Sequence, residues 1–131
     1  MNTPNRIINP QALLSMYEEF PSLNGSEIME ILFKRDEPRV SMKIMTSNKP
    51  EKTPARWPQG FDVVYLGISF IGVKKITQSG WGHTNTVDQF NIENPNDSVS
   101  VRISCKNDFS FSFDCDWISV DSVAPGSIGT P

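Results

Sequence analysis

The chain has 131 residues, of which 37% are hydrophobic, and its formal net charge at pH 7 is −3. A length in this range predicts one domain, residues 1–131. The mild negative charge, without any cluster of Lys and Arg, disfavours direct binding to nucleic acid. No window is apolar over the length of a membrane span, and the first residues do not have the pattern of a signal peptide. We therefore expect a soluble, cytoplasmic protein without membrane contact.

Residues 9–20, NPQALLSMYEEF, predict a helix near the N-terminus. Asn9 can cap this helix, and Pro10 suits the first helical position. Pro21 ends the pattern, because the residue before a proline is disfavoured in helical conformation. The apolar side chains fall on one stripe at helical spacing: Leu13, Met16, Tyr17 and Phe20.

Residues 26–122 show the alternation of strands and turns and predict the β-sheet core. The first two alternating runs predict an antiparallel hairpin whose turn contains Asp36 and Glu37. Side chains on the same face must pair across such a hairpin, which predicts three pairs: Phe33 with Val40, Ile31 with Met42, and Met29 with Ile44.

Residues 47–60 contain three prolines and a glycine and predict a long loop. We expect Trp57 in this loop to fold back onto the core, and an exposed position is the alternative. Residues 61–71, FDVVYLGISFI, are apolar on both faces and predict a central strand. Residues 74–78 and 84–92 predict two shorter strands, and residues 94–97 predict a turn.

The clearest hairpin joins residues 99–105 to residues 109–117, since the apolar positions of both runs are odd-numbered and three residues lie between them. This register places Cys105 opposite Phe109 and Cys115 opposite Val99, too far apart for a disulfide. Both cysteines are therefore expected to be reduced. Residues 124–131, APGSIGTP, predict a C-terminal tail. Together the patterns predict a mainly β (α+β) protein with an antiparallel sheet of about six to eight strands, sandwich-like or partly rolled, and one N-terminal helix.

The residues that could carry chemistry are few. His83, in the stretch SGWGHTN, is the only histidine, and the chain contains no CxxC, HExxH, GxSxG or phosphate-loop motif. Asp114 and Asp116 are expected to be solvated on an outward face rather than to form an acid–base pair. The serines that alternate along the last hairpin predict a flat polar face. We expect no catalytic, cofactor-binding or metal-binding residues.

Four patches of the sequence resemble the Immunity protein 50 family of bacterial polymorphic toxin systems. They are FPSLNGSEIMEILFKRDEPRVSMKI, PARW, LGISFIGVKKI, and SGWGHTN with VDQF, within residues 20–122. Members of the family often carry His-Asp after the Pro-Ser pair, where this chain has Asn24 and Gly25, whereas Glu27 matches. The resemblance implies a non-enzymatic protein that binds and blocks a cognate toxin domain by occlusion, with no cofactor.

An inhibitor of this kind needs exposed aromatic anchors and charges that complement its target. On that basis the candidate contacts with the toxin are Trp57, Trp81, His83, Asp36 and Glu37. Two other functions stay open. One is a β-rich module that binds a ligand such as a carbohydrate and stacks it on Trp57 or Trp81. The other is a hydrolase around His83, which requires a carboxylate or a thiol near the ring.

Overall fold

The computed structural model describes residues 4–127. One short α-helix, one 3-10 helical turn at Pro95–Asp97 and eight strands occur in this range. The eight strands form two antiparallel four-stranded sheets, with the orders β1-β2-β3-β8 and β4-β7-β6-β5. The predicted mainly β, sandwich-like fold is confirmed. The elements are α1 (Gln11–Leu14), β1 (Glu27–Lys34), β2 (Arg39–Thr46), β3 (Val63–Ile71), β4 (Lys74–Ser79), β5 (Val87–Glu93), β6 (Val99–Cys105), β7 (Ser110–Cys115) and β8 (Trp117–Gly126).

The core lies between the inner faces of the two sheets. Strand β3 is buried at most of its positions, because β2 and β8 flank it on both sides. Phe70 of β3 meets Phe113 of β7 in the opposite sheet, edge to face, with ring centroids 5.0 Å apart. Edge-to-face pairs of this kind stabilise a core beyond their buried area. The central strand predicted at residues 61–71 is therefore confirmed.

The N-terminal helix is much shorter than the predicted range 9–20, since only Gln11–Leu14 is α-helical. Asn9 does not cap it. Instead, the Asn9 side chain donates to the Val120 carbonyl at 2.6 Å and accepts from the Val120 N–H at 2.8 Å, which ties it to β8. The next helical bond would join the Glu18 N–H to the Leu14 carbonyl, but the Glu18 N–H donates instead to the Glu51 carboxylate of the long loop at 3.0 Å.

The register of the first hairpin is confirmed at Phe33–Val40 and Ile31–Met42 but is wrong at Met29. A bulge between Ile28 and Glu30 places Ile28, not Met29, opposite Ile44. The Ile28 side chain is buried, and its N–H donates to the Asn85 carbonyl at 3.1 Å. The bulge therefore turns Ile28 into the core and leaves Met29 exposed.

The register of the last hairpin is confirmed, with Val99 opposite Cys115 and the Cys105 N–H donating to the Phe109 carbonyl at 2.8 Å. Both cysteines are free and buried. The prediction that Trp117 continues the same strand is wrong, because the chain bends at Asp116 and enters β8 in the other sheet.

The predicted tail 124–131 is also corrected, because β8 runs to Gly126 and pairs with β3 along residues 124–126. Residues 128–131 lie outside the described residues. Of the predicted tail, residue 127 alone is both described and outside β8.

The outer edges of the two sheets differ in how they are covered. Residues 6–9 run along β8, where Ile7 pairs in parallel with Ile118. Residues 24–26 lie along the start of β5, where the Gly25 N–H donates to the Val87 carbonyl at 2.8 Å. The other outer strands are β1 and β4. No helix in residues 4–127 is long and apolar enough to cross a membrane.

Candidate functional site

A groove of about 440 Å³ lies between β1 and β4. Most of its lining comes from four consecutive residues of β1, and the opposite wall comes from the end of β4 and the turn that follows it. We call it the β1–β4 groove, and it is lined by Glu30, Ile31, Leu32, Phe33, Gln78 and Trp81.

Large apolar side chains are exposed along this groove. Leu32 is 53% exposed, Phe33 50% and Trp81 47%. Phe33 points between the sheets, where its ring stacks on Phe111 with centroids 5.7 Å apart and planes 8° apart. Its exposure arises because β1 is an outer strand, and no other strand within residues 4–127 covers its flank. A groove lined by exposed apolar side chains is the candidate binding site of this structure.

The turn that carries Trp81 depends on the glycine before it. Gly80 has φ +78°, a conformation that L side chains rarely adopt. A Cβ atom at Gly80 would lie 3.0 Å from the Asp108 carbonyl oxygen, so the backbone of the β6–β7 loop would have to shift slightly to admit one. Trp81 packs edge-on against Phe109, with ring centroids 5.1 Å apart. The turn therefore packs Trp81 against the core residue Phe109 and leaves about half of its surface exposed at the groove.

Asn85 closes the same turn from its other end. Its buried side chain accepts from the Gly82 N–H and donates to the Gly82 carbonyl, at 2.9 and 2.8 Å. It also accepts from the Asn107 amide at 2.9 Å. The Glu27 carboxylate accepts from the Asn85 N–H at 2.7 Å and from the Thr86 hydroxyl at 3.0 Å. We call these groups the Asn85 network, and it fixes the SGWGHTN turn to the start of β1.

The structure places Trp81 in the groove but does not bring the other predicted contacts to it. Trp57 is buried, and its ring meets Phe61 edge-on at 5.4 Å, so it offers little surface to a partner. Asp36 and Glu37 lie exposed in the β1–β2 turn, where each pairs with a nearby arginine, at 3.2 and 2.7 Å. The Asp36 pair is highly exposed, so water and salt screen it and it contributes little to stability.

His83 is exposed beside the Trp81 turn. Within residues 4–127, no hydrogen bond or ion pair joins its ring to a carboxylate or a thiol. The two thiols are also unsuited to nucleophilic chemistry at neutral pH. Burial, followed by nearby carboxylates, raises the pKa of Cys105 to about 11 and the pKa of Cys115 to about 12. The geometry that a hydrolase around His83 requires is therefore not present in this part of the chain.

The remaining polar groups form surface features. Asp114 and Asp116 lie within 4.0 Å of Lys75 and 3.5 Å of Lys74, respectively, in partly exposed ion pairs. No group of three or more metal-binding side chains was found among the described residues. On the outer face of the second sheet, a smaller depression of about 330 Å³ is lined mainly by hydroxyl and amide side chains and by Arg102, in keeping with the predicted polar face.

The sequence patterns did not single out Glu30, Leu32 and Phe33 as site residues. One signal was available: Ile31, Leu32 and Phe33 are three consecutive apolar residues, and alternation in a half-buried strand explains only every second one. The groove could not be located from that signal alone, because it depends on which strands are the outer strands of their sheets.

The match with known families comes from a comparison with family models. The model of the family Immunity protein 50 matches residues 9–126, which is most of the chain. No curated protein and no solved structure matches the chain. Within the matched region, the Asn24 amide oxygen accepts from the Phe90 N–H at 3.2 Å, and Gly25 has φ +86°. These two residues hold the segment before β1 against β5, and the matched region includes them. The chain belongs to the Immunity protein 50 family.

Proposed function

We propose that the protein is a non-enzymatic, cytoplasmic immunity protein that binds a cognate toxin domain, which forms the C-terminal part of a larger protein, and neutralises it by occlusion. The observation that carries this proposal is the match of the family model to residues 9–126. The β1–β4 groove supports it, since exposed aromatic and aliphatic side chains are the usual anchors of protein interfaces.

Occlusion requires a stable scaffold and a stoichiometric complex. A specific interface of ordinary size buries about 800 Å² on each partner, with its main contacts near the centre. Leu32, Phe33 and Trp81 would supply such a centre. The net charge of −3 would favour association with a toxin of positive charge.

A carbohydrate-binding module, the alternative function, would present an exposed tryptophan beside a concave polar groove. Trp81 is half exposed, but four of the six lining residues of its groove are apolar. Trp57, the other tryptophan on which a carbohydrate could stack, is buried. Both observations favour a protein partner.

The test is co-expression in a bacterial host with the C-terminal domain encoded immediately upstream of this gene. We expect that domain to stop growth when it is expressed alone and growth to be restored when this chain is present. With the purified components, toxin activity should fall in proportion to added protein and end at an equimolar ratio, with the mass of the toxin unchanged. If a toxic domain is not neutralised, or the neighbouring domain is not toxic, the proposal is wrong. Inactivation of many toxin molecules by one molecule of this chain would show an enzyme instead.

A further inference from the structure

We propose that an extended segment of the toxin domain binds in the β1–β4 groove as an added strand, paired with the open edge of β1. This inference rests on the proposed function and names the surface and the binding mode. The expected segment carries apolar side chains and a Lys or Arg that meets Glu30.

The backbone of β1 is available for such pairing. On one side β1 pairs with β2 along its length. On the other side only its first residues have partners in residues 4–127: Glu27 bridges Thr86, and the Ile28 N–H donates to the Asn85 carbonyl. From Glu30 to Lys34 no strand lies against this edge in the described part of the chain. Since unpaired N–H and C=O groups in a row are a template for another strand, this edge can accept one.

The other outer strands are less suited to accept a partner. Residues 6–9 cover the start of β8, from Ile118 to Val120, and residues 24–26 cover the start of β5. Strand β4 has a register shift between Lys74 and Thr77, and Lys75 within it has φ +58°. Bulged edges that carry lysines are a common way to prevent pairing with another chain. In contrast, β1 pairs regularly with β2 from Glu30 to Lys34.

The side chains of β1 lack the covering that an added strand would supply. Phe33 stacks on the core residue Phe111, yet half of its surface is exposed. An added strand would cover the flank of Phe33 on the inner face and of Leu32 on the outer face, because successive side chains point to opposite faces. Trp81, on the opposite wall, would contact the same segment.

The charge at the groove favours a basic residue in the partner. Glu30 lines the groove, and its carboxylate has no hydrogen bond or ion pair with any residue between 4 and 127. The residue paired with it across the hairpin is Lys43, whose ammonium lies 5.2 Å from the Tyr65 ring centroid instead. A carboxylate beside apolar side chains attracts a Lys or Arg, and burial of that pair strengthens the attraction.

The experiment uses the full chain and the toxic C-terminal domain encoded upstream. Leu32→Arg is compared with Ile76→Arg, because Ile76 is exposed to a similar degree, 45%, and does not line the groove. We expect Leu32→Arg to raise Kd about 30-fold or more and Glu30→Lys about 10-fold, while Ile76→Arg binds as the wild type does. Circular dichroism and urea denaturation of each free variant show whether it has kept the fold.

Hydrogen exchange of the wild-type complex tests the strand pairing itself. We expect the amides of residues 30–34 to exchange more slowly when the toxin is bound. If the wild type binds but residues 30–34 are not protected, or folded Leu32→Arg binds normally, the inference is overturned while the proposed function stands. If the amides of residues 30–34 become more protected in the free protein as its concentration rises, a second copy of the chain occupies the edge of β1. That result would also overturn the inference. If the wild type neither binds nor neutralises the toxin, the proposed function itself fails.

Discussion

Substitution of Asn85 by alanine gives the most direct test of how the groove is built. The Asn85 side chain is buried and makes three hydrogen bonds, two with the Gly82 backbone and one with the Asn107 amide. In Asn85→Ala, the Gly82 N–H, the Gly82 carbonyl and the Asn107 amide each lose the hydrogen bond that they make with Asn85. Because the side chain closes the turn that carries Trp81, the change also loosens one wall of the β1–β4 groove.

The size of the effect depends on how well water replaces Asn85. A neutral hydrogen bond contributes about 1 kcal/mol net, and a buried group left without a partner costs about 1–3 kcal/mol. Asn107 is exposed and regains a water, whereas Gly82 is only partly exposed. We therefore expect Asn85→Ala to lower the free energy of unfolding by about 2–3 kcal/mol, with most of the loss at Gly82.

Urea denaturation of the free protein measures this difference. Asn91→Ala is the matched control, since Asn91 is an exposed asparagine on β5, and it should stay within about 0.5 kcal/mol of the wild type. Asn107→Ala should cost less than Asn85→Ala. In the double variant the two costs should overlap by about 1 kcal/mol, because both variants remove the same bond. A loss below about 0.5 kcal/mol for Asn85→Ala would refute the network as a stabilising element.

Three further predictions concern stability. Gly80→Ala should destabilise the protein more than Gly60→Ala by about 1 kcal/mol or more in urea denaturation, because both glycines have φ near +80° but only Gly80 is crowded by backbone; equal losses would contradict the crowding. Burial raises the pKa of the Cys115 thiol from 9.0 to about 12, so between these pH values the thiol ionises only in the unfolded chain, and the free energy of unfolding should fall as the pH rises. Urea denaturation at pH 7 and pH 10 should show a smaller fall for Cys115→Ala than for the wild type. Phe70→Ala should cost about 3–5 kcal/mol, measured by thermal and urea denaturation, and a cost below about 1 kcal/mol would contradict its place in the core.

Both hairpin registers could be predicted largely from local alternation. In the last hairpin, odd-numbered apolar residues on both strands and a three-residue loop leave one register that buries both sets. The loop then needs a residue with positive φ, which Asp108 supplies at +69°. The first hairpin follows the same rule from Ile31 to Phe33. It fails at Met29, because the bulge there depends on a hydrogen bond from Ile28 to Asn85, which lies far away in the sequence.

The errors in the prediction have a common physical origin. Alternation runs unbroken from Phe109 to Trp117, yet the Asp116 N–H donates to the Ile71 carbonyl at 2.9 Å, and the chain changes sheets at that point. Similarly, the helical stripe at residues 13–20 does bury Leu13, Tyr17 and Phe20, although most of it is not helical. Periodicity therefore identified most of the buried side chains, with Met29 and Trp117 as exceptions, but could not show which backbone groups would pair across the fold. The β1–β4 groove depends on this strand pairing, since it exists because β1 and β4 are outer strands.

Two patches of the family resemblance meet in the Asn85 network. Glu27 lies in the first patch and Asn85 in the last. The Glu27 carboxylate accepts a hydrogen bond from the Asn85 N–H at 2.7 Å. This bond ties the start of β1 to the turn that carries Trp81, and these two segments become the opposite walls of the β1–β4 groove. The SGWGHTN motif is thereby explained as a structural element, since Gly80 and Asn85 hold the turn and His83 lies exposed beside it. Under the proposed function, the network sets the shape of the groove, and selection among toxins falls to the exposed side chains along β1.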